Sequence, residues 1–453
     1  MRIIDVPTEL FYRERISRER ARPMAEYMLD AMIAALTDPI TAEEGRPRER
    51  ASVSRNLRFS ADTIDAAIED FNQQFLDRQW SDGLPLIPPT PDRVEWMLSG
   101  TNRSPDEQLG PMSPRNGNTT IEKIAINAVM AGAKPEYLPV IIAAVEGLVD
   151  PYFDELHFAT STGSFNLVIG VSGPIAEEIG MNSGLGMFSY GNRANSTIGR
   201  AVRLSLINLG HTWPAANDMA LLGRPSPYTF MVFAENQGMS PWSPYRTSQG
   251  FSDEDSVVTL TVTGGYSTGQ SQASIYGGGA VALVPPETVL EQVARDISRA
   301  RGGVSSTNAT GVTLDGNENT IRSSYRKYFL VVNPEIAQEL NERFGYTREG
   351  LQEKLFETAS IRYEDLRERD IAAVQAAIDT GYIPVAYRDQ VQQQLEPGGQ
   401  VPMMSSPQDV HIMVAGGMPG YTMLMSYFNE GVYKPVAHIS KRIGDATLTD
   451  AGH

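Results

Sequence analysis

Three stretches of the sequence combine residue types and spacings that can do chemistry. In GNRANSTIGRAVRLSLINLGH (191–211), Arg193, Arg200 and Arg203 surround a helix start that follows a glycine- and serine-rich loop. Free N–H groups at a helix start, joined by planar guanidinium forks, hold a carboxylate or phosphate. This pattern assigns Asn192, Arg193 and Arg200 to substrate binding, with Asn195 or Ser196 capping the helix. A solvated arginine face with surface ion pairs is the alternative. In NTTIEKIAINAVMAGAKPEYLP (118–139), Thr119 and Glu122 have capping-box spacing, and Lys123 and Asn127 lie one turn apart among Ile121, Ile124, Ala128 and Val129. An asparagine in so apolar a helix needs a buried partner or a ligand. Asn127 is thus a candidate substrate ligand or a structural hydrogen-bonding group, and Lys123 a candidate proton carrier. In AENQGMSPWSP (234–244), Glu235 and Asn236 follow the apolar run TFMVF, which places them at a strand end, where α/β sites form. Glu235 and His211 complete the acid–base candidates, and Asn236 the substrate contacts. Trp242 either walls a pocket or fills core, and Asp82 in WSDGLPLIPPTP reads as a turn former.

Composition narrows what such groups serve. The 453 residues carry 55 acidic against 38 basic side chains, a net charge of −17, which disfavours nucleic acid and anionic membranes as partners. No cysteine is present, so this chain supplies no disulfide, thiolate nucleophile or cysteine metal site. The five histidines lack metal spacing, and no phosphate loop, strand-linked GxGxxG, HExxH or nucleophile elbow occurs. No metal is expected, and no cofactor is specified. The charged start and the lack of an apolar run near 18 residues predict a chain with no leader and no membrane span, and the lack of disulfides fits the cytoplasm.

The elements that must position these groups form an α/β pattern: mixed or parallel sheets with flanking helices and an N-terminal helical arm. A helix is expected over 7–37, with Met28, Leu29, Met32, Ile33 and Leu36 on one stripe. That stripe faces the core or docks on a neighbouring subunit, which would make the protein a homo-oligomer. A second helix starts after Ser60, with Ile64, Ile68, Phe71 and Phe75 as its stripe. Four apolar runs each meet a proline and then a helical stretch, at 84–98, 166–180, 280–294 and 328–341. Each predicts strand, turn and helix, with proline near the first helical position, where its missing N–H costs nothing. Their irregular spacing does not establish a duplication. Glycine-rich stretches at 181–196 and 263–279 read as functional loops, 140–149 as a buried helix, and 411–417 as a strand. The expected organisation is an arm and linker over 1–59, an α/β core over 60–333, a helical subdomain over 334–395, and a segment returning to the core over 396–453.

Several of these stretches together resemble a known group. WSDGLPLIPPTPDRVEWML, TIEKIAINAVMAGAKPEYLPVIIAAVEGL, NSGLGMFSYGNRANSTIGRAVRLSLINLG and ENQGMSPWSP are similar to bacterial proteins associated with the small thiol- or selenocysteine-containing proteins of the UGSC family. The resemblance spans roughly residues 76–340 and weakens towards the end. It implies a small thiol or selenol protein as a partner, though no particular reaction. Ala133 stands where such relatives often carry cysteine, so a thiol role there is absent from this chain. Three readings follow: an enzyme of lyase or hydratase type acting on a small polar or anionic substrate, the substrate-holding component of a two-component reductive system, or a non-catalytic assembly protein.

Overall fold

The computed structural model describes residues 18–39, 41, 56–224, 226–263, 265–269, 290–291, 293–295, 297, 313–314, 321–322, 327–366, 368–379, 381, 385–402, 404, 406–417, 422–427 and 436–444. The chain forms two compact units, Met1–Ser60 and Ala61–His453. In the first, α1 (Arg18–Thr37) matches the expected arm helix from residue 18 onward. The expected turns over 7–17 and most of the expected linker lie outside the described residues. The expected stripe is largely solvent-facing, with Leu29 57% and Leu36 86% exposed.

The second unit begins with α2 (Ile64–Asp77), whose cap is Thr63 rather than Ser60: the Thr63 hydroxyl accepts from the Ala66 N–H. Only Phe71 of its expected stripe is buried, and Ile64 stays 79% exposed. The LPLIPPTP run, expected as a strand, is extended chain leading into α3 (Pro91–Leu98); three prolines within six residues remove the donors a ladder needs. A hairpin of β1 (Gln108–Met112) and β2 (Gly117–Thr120) precedes α4 (Ile121–Ala131). The α4 cap is Thr120, not Thr119, and its hydroxyl accepts from the Lys123 N–H. Next comes α5 (Leu138–Val149), buried along nearly its whole length as its apolar run predicts.

Two four-stranded mixed sheets form the centre of the unit. The strands of the first part are β3 (Asn166–Ser172), β4 (Met231–Ala234), β5 (Val257–Thr263) and β6 (Gly265–Gly269). Those of the second are β7 (Lys327–Val332), β10 (Val410–Val414), β11 (Thr422–Tyr427) and β12 (His438–Arg442). Between β3 and β4 run the short α6 (Pro174–Glu178) and α7 (Arg193–Asn208), and between β4 and β5 the single turn α8 (Tyr245–Ser248). Between β7 and β10 come α9 (Pro334–Phe344), α10 (Arg348–Thr358), β8 (Ser360–Arg362), α11 (Glu368–Asp379), α12 (Val385–Gln394) and β9 (Gln400–Pro402).

Both sheets follow one plan. Sheet one has the order β4-β3-β5-β12 and sheet two β10-β7-β11-β6. In each, the first pair is parallel and the next two are antiparallel. The fourth strand of each set crosses over: β6 follows β5 in the chain but completes sheet two, and β12 follows β11 but completes sheet one. Strand–turn–helix units are thus found at 166–180 and 328–341. The unit expected at 280–294 and the loop at 263–279 lie mostly outside the described residues.

Side-chain alternation sets the layers. On β5, Leu260 packs towards α5, whose Gly147 leaves no room for a side chain: a Cβ there would stand 2.6 Å from Leu260 Cδ1. Thr259 and Thr261 point the other way, into the space between the sheets, where they meet Ser440 and His438 of β12. Sheet two presents Phe329, His411 and Met413 to that space. It buries Leu330, Val332, Ile412 and Val414 against α9 and α10. The expected helical subdomain is therefore divided: α9 and α10 belong to the core of sheet two, whereas Val374, Val391, Leu395 and Val401 make a small separate core.

Helix α7 lies on α4 and beside the chain entering β4. Its stripe, Ile198, Val202 and Leu206, is fully buried as its spacing predicts. The approach is closest at Gly199, where a Cβ would fall 1.7 Å from the Thr229 carbonyl oxygen. Backbone cannot yield as a flexible side chain does, so Gly199→Ala must push α7 away from residues 229–232. Overpacking of this kind costs about 1–3 kcal/mol. The expected result is a lower Tm and a lower denaturation midpoint; an unchanged melt would show that α7 does not seat as described.

Candidate functional site

The three arginines of α7 meet three different fates. Asn192, not Asn195 or Ser196, caps the helix: its Oδ1 accepts from the Asn195 N–H at 2.9 Å, and its amide donates to the Gly180 carbonyl. Asn195 is buried, and its amide nitrogen donates to the carbonyls of Asn182, Met187 and Val232. The glycine-rich loop is thus tied to α7 and β4. Arg193 is exposed, and its Nε donates to the Gly132 carbonyl. Arg200 grips Asp82 with two hydrogen bonds, of 2.8 and 2.9 Å, and also donates to the carbonyls of Leu84 and Pro85. Asp82 still makes the expected turn, accepting from the Leu84 N–H.

Arg203 has no such partner. Its side chain is buried, with the residue only 6% exposed, and its Nε and Nη2 reach no hydrogen-bond acceptor among the described residues. The guanidinium lies 3.8 Å from the centre of the Phe230 ring, a cation–π contact. Burial, then the nearby charge of Arg224, pushes its pKa down to about 9, against the pull of Asp218 and Asp82. It therefore remains a cation at neutral pH.

Arg203 lines a cavity of about 380 Å³. The wall also contains Ser81, Asp82, Thr212, Trp213, Asp218 and Arg224. Asp218 is closed off by Arg224 through bonds of 2.9 and 2.7 Å. The Thr212 hydroxyl is buried and, like Arg203, has no partner among the described residues. These unmet atoms are covered from solvent behind the cavity wall, so a ligand in the cavity meets them only after a small shift of the side chains.

The other sequence candidates stand apart from this cavity. Asn127 is buried, and its side chain is engaged at both ends: it donates to the Lys123 carbonyl and accepts from Asn208, each at 2.8 Å. Lys123 donates its ammonium to the Asn118 carbonyl. His211 is exposed and has φ 58°; only its neighbours Thr212 and Trp213 line the cavity. Asn236 joins the two sheets through its backbone N–H to the Val414 carbonyl. Trp242 packs in the core of sheet two and donates its indole N–H to the Tyr346 carbonyl.

Glu235 leads to a second group of polar residues, between the sheets. Its carboxylate accepts from the Ser172 hydroxyl at 2.5 Å and from the Tyr245 N–H at 2.7 Å, with Arg348 at 3.7 Å. Burial raises its pKa, while Ser172, Tyr245, Arg348 and Arg246 oppose the shift. Arg348 is 1% exposed and clamps the carbonyls of Ile412, Ser243 and Pro244. The Tyr245 hydroxyl stands 3.0 Å from His411 Nδ1 and 3.2 Å from His438 Nε2, and the two imidazoles stack at 4.0 Å. One phenol proton serves only one of these contacts, so in the other the imidazole donates to the phenol oxygen. Both rings are neutral: burial, with the Lys327 charge, pushes His411 down to about 3, and burial, with the adjacent His411 ring and Lys327, holds His438 well below the usual histidine range.

Sequence reasoning singled out Glu235 but missed Tyr245, His411, His438 and Arg348. The histidines meet only because β12 crosses to sheet one, and no local spacing signals that. Among the described residues, no group of three or more histidines or carboxylates is placed to hold a metal, and no helix is long and apolar enough to cross a membrane. No protein-family model matches the chain, and no curated protein or solved structure matches it.

Two predictions concern stability. The buried histidines are neutral in the fold and take up protons once unfolding exposes them. Below pH about 6.5 the unfolded chain therefore binds more protons than the native one, and stability present above that pH is lost as pH falls towards about 3, by about 1.4 kcal/mol per pH unit for each histidine. Urea titrations across this range should show His411→Phe flattening the slope by about one proton; an unaltered slope would mean that His411 already titrates in the fold. Arg203→Met removes an uncompensated buried charge and keeps most of the volume. Despite the lost cation–π contact, it should raise stability by about 1–2 kcal/mol in ligand-free protein. A lower Tm would show that Arg203 is balanced within the fold.

Proposed function

We propose that this chain is an enzyme acting on a small organic anion by acid–base chemistry of lyase or hydratase type, with the anion held in the cavity beside α7. The observation that carries this reading is Arg203, a buried cation whose Nε and Nη2 have no hydrogen-bond partner among the described residues and whose side chain contributes to the wall of a cavity. A charge taken out of water without a partner costs several kcal/mol. An anionic ligand offsets that cost by supplying both charge and acceptors. A binding protein without turnover would use the same anchor, so catalysis needs its own test. Asp82 and Asp218, each paired with an arginine, and the Tyr228 phenol are the groups in the wall that can accept or deliver a proton.

The test is proton abstraction from carbon. The purified chain is incubated in D₂O with a panel of small hydroxy, keto and unsaturated acids, and deuterium entry beside the carboxylate is followed by NMR. At least one acid should exchange or convert, and Arg203→Met should slow it by tenfold or more, the loss of one charge-assisted contact. Arg203-dependent binding without exchange or conversion would leave a binding protein. Turnover that is indifferent to Arg203 would place the chemistry elsewhere.

A further inference from the structure

The cavity carries more than a preference for negative charge. Three guanidinium groups and two carboxylates gather around it, and four of these five charges are already matched. Asp82 is held by Arg200 and Asp218 by Arg224, each through two hydrogen bonds. Among the described residues, Arg203 is left without an ion-pair partner of its own. One negative charge completes the balance. A second would have to lie in the same wall as Asp82 and Asp218, and like charges brought together in a partly enclosed cavity repel more than they do on an open surface.

The remainder of the wall is largely apolar. Leu76, Ile207, Trp213, Pro214, Pro227 and Tyr228 cover most of it. Such a surface gains nothing from a second charged or strongly hydrated group and favours a hydrocarbon or aryl body. At about 380 Å³ the space sits near the lower end of the about 300–1,000 Å³ typical of small-molecule sites. The Thr212 side chain belongs to the same wall, and its covered hydroxyl has no partner among the described residues, so it can add one hydrogen bond once the wall shifts.

We infer that the occupant is a monocarboxylate with a compact apolar body, its carboxylate on Arg203 and Thr212 and its body against Trp213 and Ile207. This rests on the reading of the cavity as an organic-anion site and narrows it to a class. A planar carboxylate matches the guanidinium fork with two parallel hydrogen bonds. It also accepts from a hydroxyl without bringing the extra charge of a phosphate dianion. Dicarboxylates and phosphomonoesters are accordingly disfavoured by charge rather than by size.

The experiment uses the full chain and calorimetry together with thermal shift. The probes are butyrate, hexanoate, benzoate and phenylacetate; the primary amide of each; the dicarboxylates succinate, adipate and phthalate; and inorganic phosphate. At least one apolar monocarboxylate should raise Tm and bind tenfold or more tighter than its amide and than any dicarboxylate. Arg203→Met should abolish the difference between acid and amide, and Thr212→Val should weaken the acid several-fold. Arg203→Lys, which keeps the charge and removes the fork, serves if the methionine variant does not fold, and it should retain binding at reduced affinity. Arg203-dependent binding led by a dicarboxylate or by phosphate would overturn the monocarboxylate class and leave the anion site standing. Amides binding as well as acids, or no probe binding in an Arg203-dependent way, would overturn both.

Discussion

The fold depends on two backbone ladders that cross between its halves. Strand β5 pairs with β12, and β11 pairs with β6, so each sheet is finished by a strand that belongs, in chain order, to the other set. Neither sheet has all four strands without the other half of the chain. These long-range pairings also fix what lies between the sheets. Because β12 joins sheet one, His438 faces His411 of sheet two, and Tyr245 is trapped between them. The interior there mixes polar groups with Phe233, Phe329 and Met413. Its threonines, serine, histidines and tyrosine bond to one another, which is the condition under which polar groups are tolerated in a core.

Glu235 and Arg348 extend this logic along the strand ends. Glu235 stands just after β4 and receives the N–H of Tyr245, so the residue that bridges the histidines is positioned by the carboxylate at its own backbone. Arg348, at the start of α10, donates to β10 and to the loop that leads into Tyr245. A strand-end glutamate is a reasonable sign of catalysis in an α/β protein, yet here its contacts are those of a structural joint. Desolvation raises its pKa, and four surrounding groups act against that shift.

Much of the architecture was legible because it rests on local patterns. The continuous apolar runs at 166–172 and 328–332 gave strands, the prolines after them gave helix starts, and the 198–202–206 spacing gave the buried face of α7. The misplaced caps at Thr63, Thr120 and Asn192 were errors of a few residues, since several adjacent side chains could each have capped. LPLIPPTP misled for a clearer reason: its apolar residues suggest a strand, but its prolines cannot pair. The strand exchange left no local mark. The candidate site was half legible. The arginine-rich helix stood out, but the choice among its arginines depends on where the acids lie. Asp82, far upstream, captures Arg200, and Asp218 captures Arg224 instead of Arg203. No spacing within 191–211 carries that information.

This distribution of acids is what makes Arg203 informative. A fold optimised for stability alone would place a carboxylate beside a buried guanidinium or replace it with an apolar side chain. Here two carboxylates stand in the same cavity wall, and each is committed to another arginine with good two-point geometry. The arrangement keeps one cation unmatched while the space next to it stays apolar. Such a site stores its binding energy as desolvation already incurred, so a complementary anion gains more there than it would on an open surface. The same coupling runs in reverse: an anion that binds only the native state must stabilise it, by about 2.7 kcal/mol at a hundredfold excess over Kd. The predicted instability of the empty cavity and its proposed selectivity for one negative charge thus trace to a single arginine without a partner among the described residues.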